Sequence, residues 1–132
     1  MKSKKLMTVA FMSAVALAGS AAQQDQEPMT KENGTYVVNT TTLGKDVKGY
    51  MGVTPVKVYI KKNKVEKVEF LGNQESPKYF NKVKRALQGR WDGMKVKDAV
   101  KQQVDGVTGA TYSSEAVKKN VQLGLNYYLK NK

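Results

Sequence analysis

The residues best suited to chemistry are Asp105-Gly106-Val107-Thr108-Gly109-Ala110-Thr111-Tyr112-Ser113-Ser114, set directly before an amphipathic stretch that runs to Lys132. Two glycines allow the backbone to approach a ligand closely. A helix starting near Ser113 would aim unpaired N–H groups and the positive end of its dipole back at this loop, which suits a phosphate. The hydroxyls of Thr108, Thr111, Ser113 and Ser114 add donors, and each can carry a phosphoester; spacing does not choose among them. Ser113 is read as the helix cap. Asp105 fits less simply, because a carboxylate repels phosphate unless a cation intervenes or the side chain points elsewhere, as in an Asx-type turn.

The rest of the side-chain inventory narrows the chemistry. The chain has no Cys and no His, which excludes disulfide staples, thiol catalysis, iron–sulfur ligation and the commonest zinc sites. What remains is hydroxyls, carboxylates, amines or a bound cofactor.

The loop resembles the flavinylation motif Asp-x-x-Ser/Thr-Gly-Ala-Thr of the FMN-binding domain family, found in the C subunit of the sodium-translocating NADH:quinone reductase and the G subunit of Rnf-type complexes. The likeness extends over about residues 47 to 128: Gly49-Tyr50-Met51-Gly52 matches Gly-Tyr-x-Gly, a strand pair follows, and Glu75-Ser76-Pro77 stands where the family carries Glu-Thr-Pro-Gly. Two positions depart from that pattern, Ser76 for Thr and Lys78 for Gly.

The resemblance implies a covalent FMN, transferred from FAD by a dedicated flavin transferase to the last Thr of the motif, here Thr111. Gly106, Thr108, Gly109 and Ala110 would shape the loop, and Asp105 would serve the modification by helping to hold the transferase's metal and donor nucleotide. Glu75, Ser76 and Pro77 would approach the flavin ring. A domain of this kind relays electrons and needs no acid or base of its own. The alternative is a non-redox module holding free FMN or another phosphorylated ligand reversibly; a third reading is an envelope or adhesion protein that uses its positive surface.

The elements that must position this loop are legible in outline, as an α+β single domain with a small antiparallel sheet packed against two main helices. Tyr36 to Thr42 is β-branched and reads as a strand ended by Leu43-Gly44-Lys45-Asp46. Val56–Ile60 and Val65–Phe70 alternate about a polar turn at Lys62-Asn63 and form a hairpin. Ser76-Pro77 caps and opens a helix to Gln88, with Phe80, Val83 and Leu87 on one face and Gly89 beyond it. Tyr79 and Phe80 are both read as core, as is Trp91. Arg90 to Val104 follows no sustained period, although Asp98 to Gln102 could form a helical turn. Val117, Val121, Gly124, Leu125 and Tyr128 form the inner stripe of the last helix, with Gly124 marking close packing on the sheet.

Lys2, Lys4 and Lys5, the apolar run from Leu6 to Gly19 and the small residues to Ala22 have the form of a secretory signal peptide, too short for a membrane span. Export to the periplasm or the outer face of the membrane is the expectation, with residues 23–34 a disordered leader and residues 35–132 the FMN-binding domain. Removing those three lysines takes the formal charge from +12 to +9. An exported lysine-rich surface suits an acidic redox partner or an anionic membrane surface, with possible peripheral membrane association, rather than nucleic acid. Asn33-Gly34-Thr35 and Asn39-Thr40-Thr41 match the glycosylation sequon and are read as chance.

Overall fold

The computed structural model describes residues 27–102 and 109–132. Four strands, β1 (Met29–Glu32), β2 (Thr35–Asn39), β3 (Val56–Lys61) and β4 (Lys64–Phe70), pair antiparallel in chain order. Helix α1 (Pro77–Leu87), the single turn α2 (Val96–Ala99) and the long α3 (Thr111–Asn131) follow. The α+β expectation holds, with two main helices and one short one.

Strand β1 corrects the reading of a disordered leader over its described part; residues 23–26 and the signal segment lie outside the described residues. The chain turns at Asn33 (φ 53°) and Gly34 (φ 85°), both left-handed, which is the two-residue hairpin that Asn-Gly favours. Pairing of Met29 with Val38 and of Glu32 with Thr35 follows from that turn. Strand β2 ends at Asn39 rather than Thr42: the Thr40 N–H still donates to the Val56 carbonyl at 2.9 Å, but the return bond from Val56 N–H goes to the Thr40 hydroxyl at 2.9 Å, which itself donates to the Val56 carbonyl at 3.1 Å.

The β3–β4 hairpin turns at Lys62-Asn63 as its sequence implies, and a bulge sits between Tyr59 and Ile60. That irregularity explains why Val65 and Val68, three residues apart, are both buried: strict alternation would have placed them on opposite faces, and an extra residue resets the phase. Val38, Val56, Val58 and Ile60 form the sheet's inner face, over which α3 lays Val117, Val121 and Leu125. Helix α1 packs on α3, and α2 on α3 and β4. Gly124 lets α3 approach, since a Cβ there would lie 3.1 Å from Val58 Cγ2 and 3.2 Å from Thr40 Cγ2. Trp91 is fully buried in this core.

The far end of the sheet gathers lysines. Lys61 pairs with Lys64 across the hairpin, and Lys64 faces Lys95 in an isolated bridge. Like charges set opposite each other destabilise a sheet. Lys95→Glu should therefore raise the free energy of unfolding by about 0.2–1 kcal/mol, read from the urea midpoint at low salt.

Tyr128 closes the same end of the domain by donating its hydroxyl to Asn63 Oδ1. Burial raises its pKa above the ordinary 10.0, with Tyr36 adding to the shift. The folded chain thus holds this proton more tightly than the unfolded chain. The corresponding stability is complete below pH 10.0 and is lost as pH rises through the raised folded value. Urea titrations in the alkaline range should show this loss, and Tyr128→Phe should make it shallower.

Candidate functional site

Helix α3 begins two residues earlier than its hydroxyl pattern suggests. Thr111 is its first residue, Ala110 occupies the cap position without a side-chain cap bond, and Ser114 N–H makes the first helical bond, to Ala110 O at 3.0 Å. The N–H groups of the first turn therefore face the loop uncapped, the arrangement that receives an anion. Gly109 just before them has φ 84°, a left-handed conformation that glycine adopts without strain. Thr111 is exposed, and its side-chain hydroxyl has no partner among the described residues.

Ser113 is not the cap. It is buried in the first turn, and its hydroxyl donates to Glu75 Oε1. The same carboxylate accepts the N–H of Tyr50 at 2.9 Å and of Met51 at 2.6 Å, while the Glu75 N–H is fixed on Asn73 Oδ1 at 2.9 Å. Glu75 is 5% exposed, so three donors replace its lost hydration, and charge-assisted bonds of this kind are the strong ones. Gly49 makes the clasp possible, because a Cβ there would lie 2.6 Å from Glu75 Oε1 and 3.2 Å from Ser113 Cα. Glu75 thus ties the 49–52 loop to the start of α3, with its carboxylate fully engaged by the protein.

The clasp forms the floor of a cleft of 390 Å³ whose lining includes Ser76, Gly109, Ala110 and Thr111. Its lip is apolar and aromatic: Tyr50 is 75% exposed, Tyr112 69% and Met51 60%. The Tyr50 and Tyr112 rings lie 6.3 Å apart with 33° between their planes. Tyr79 lines the cleft too, which corrects its reading as core; Phe80 alone of that pair is buried. Lys82 Nζ sits 5.6 Å from the Tyr79 ring centre and 3.5 Å from where a Cβ on Gly109 would be. The positive end of a helix, an ammonium beside the loop and a group of exposed rings suit a ligand with a phosphate at one end and a planar ring at the other.

The structure brings together six of the residues singled out by sequence: Glu75, Ser76, Gly109, Ala110, Thr111 and Ser113 all line this cleft. Pro77 is exposed at the start of α1 and is not among the lining residues. Ser76 holds the α1 cap position through its carbonyl, which accepts Phe80 N–H at 2.8 Å, and its hydroxyl makes no cap bond. Asp105, Gly106 and Thr108 lie outside the described residues. Lys118 pairs with Glu115 at 2.7 Å, and both line a separate cleft beside Trp91. The lip residues Tyr50, Met51 and Tyr112 were missed, although the Gly-Tyr-x-Gly pattern already marked two of them as neighbours of a backbone that must approach something closely.

Fold and cleft together give a small α+β domain with an open cleft at the start of its last helix, whose lining suits a phosphorylated, ring-bearing ligand. The model of the FMN-binding domain matches residues 49–126, and the chain belongs to that family: it is an FMN-binding flavoprotein. Comparison with curated proteins and with solved structures gives no match.

Proposed function

We propose that this protein is an exported electron carrier whose FMN is attached through a phosphoester to Thr111. The observation that carries the reading is the position of Thr111: an exposed hydroxyl at the first residue of a 21-residue helix, in the family's motif and inside the cleft. In the modification the Thr111 oxygen bonds to the phosphorus on the riboflavin side of FAD, AMP departs, and the hydroxyl proton is lost to solvent. The first-turn N–H groups and Lys82 neutralise the phosphate, while Tyr50, Tyr79 and Tyr112 offer faces to the ring. Once bound, flavin supplies one- or two-electron transfer.

The protein's own part is to hold and shield the group. No cluster of three His, Cys, Asp or Glu side chains able to hold a metal occurs among the described residues, and the reading requires none. Electrons would reach the flavin from a membrane complex or another flavinylated carrier outside the cytoplasmic membrane, and a flavin transferase would make the ester. Co-expression with such a transferase should give a yellow protein whose flavin fluorescence stays with the polypeptide on a denaturing gel. Flavin that leaves on denaturation would instead support reversible FMN binding, and a colourless protein would remove both readings.

A further inference from the structure

The end of the domain opposite the cleft carries a charge arrangement that the fold does not need. Lys62, Lys64, Lys95, Lys97 and Lys132 line one open cleft of 390 Å³ with Asn63, Val96 and Leu129 and without an Asp or Glu side chain. Lys61 joins Lys62 and Lys64 in an adjoining cleft of 450 Å³, where Glu66 is the acidic member. Among the described residues none of these six ammonium groups pairs with a carboxylate.

Three local features make this cluster costly to keep. Lys61 and Lys64 are cross-strand partners, and Lys64 is again opposite Lys95, in a bridge flanked by Val65 N–H to Met94 O at 2.8 Å and Val96 N–H to Asn63 O at 2.9 Å. In that geometry the two lysine side chains form the closer, non-hydrogen-bonded type of pair. Lys62 holds a left-handed φ of 53° at a turn position where Asn, Asp or Gly fits better. Lys132 is drawn into the same place, its Nζ 3.4 Å from Asn63 Oδ1. A single acidic substitution would relieve the repulsion, so an external anion is the natural counterpart.

We propose that this pole docks on a bilayer surface rich in acidic phospholipids. Its lysines come from the hairpin turn, the start of β4, the approach to α2 and the end of α3, giving a broad array whose long stems can reach headgroup phosphates. Leu129, 36% exposed among them, is an apolar contact that suits the headgroup boundary and not a nucleic-acid duplex. Helix α3 runs from the flavin cleft to this pole, so docking holds the cleft about 30 Å from the headgroups, the length of 21 residues at helical rise. The cleft then faces away from the bilayer.

Sedimentation of the full chain with phosphatidylcholine vesicles, with and without phosphatidylglycerol, tests this. The apolar run near the N-terminus acts on both vesicle types, so the ratio of the two affinities is the readout. Each lysine near an anionic surface contributes about a fivefold factor. The triple variant Lys64→Gln, Lys95→Gln, Lys97→Gln should lower the ratio about 100-fold. A triple with the same charge change at the cleft end, Lys45→Gln, Lys48→Gln, Lys78→Gln, should change it only a few-fold. The first variant relieves repulsion and should melt no lower than the parent, and Lys97→Gln alone should still cost about fivefold. Equal losses in both triples, no loss in the first, full competition by dilute pyrophosphate, or tighter binding to duplex DNA at matched salt would each overturn the proposal. None of these results depends on the flavin, so the outcome is independent of the ester at Thr111.

Discussion

Thr111→Ala should abolish covalent FMN completely while leaving the fold intact. The Thr111 side chain is exposed and its hydroxyl bonds nothing among the described residues, and alanine is a favourable helix former at the position α3 begins. Removing an exposed hydroxyl of this kind should move stability by no more than about 0.5 kcal/mol. The flavin signal on a denaturing gel should fall to background, and the urea midpoint should stay at the parental value. Thr111→Ser should keep a measurable part of the signal, since it retains the oxygen. Undiminished covalent flavin in the alanine variant would move the acceptor to another hydroxyl of the loop.

The second large effect should come from Glu75→Ala, and here stability and flavin loading should fall together. The substitution strands the N–H groups of Tyr50 and Met51 and the hydroxyl of the buried Ser113. Losing three bonds to a charged acceptor, one of them from a buried hydroxyl, should cost about 3 kcal/mol, a large share of the 5–15 kcal/mol that typically holds a domain together. Both walls of the cleft hang on this carboxylate, so loading by a flavin transferase should drop even at temperatures where the variant is folded. Glu75→Gln keeps the shape and one acceptor oxygen and should lose about half as much stability. Urea unfolding and flavin fluorescence on the same samples check both effects. A parental midpoint in Glu75→Ala would show that the clasp contributes nothing to the fold.

Local pattern announces some of this architecture and leaves the rest silent. The β3–β4 hairpin, the inner stripe of α3 and the stop at Gly89 follow from periodicity and turn chemistry acting over a few residues. Strand β1 is equally local, since Asn33-Gly34 favours a two-residue hairpin turn, but the polar composition of residues 23–34 concealed the pairing. The bulge that buries both Val65 and Val68 depends on the β3 partner, and no single-strand pattern contains it. The cleft is similar. The motif at Thr111 and Gly109 is contiguous and visible, whereas the clasp joins residues 49–51, 75 and 113, and only the fold shows that Ser113 serves Glu75 instead of capping a helix. The lysine pole is the extreme case, drawn from positions 61 to 132 that look like ordinary solvated charge until the sheet and α3 bring them together.

The most direct measurement is intact-mass and peptide mass spectrometry of the chain recovered from its native compartment. An ester at Thr111 requires a gain equal to FMN less water, carried by the peptide that contains Thr111. An unmodified mass, from cells shown to make an active flavin transferase, would contradict the covalent electron carrier.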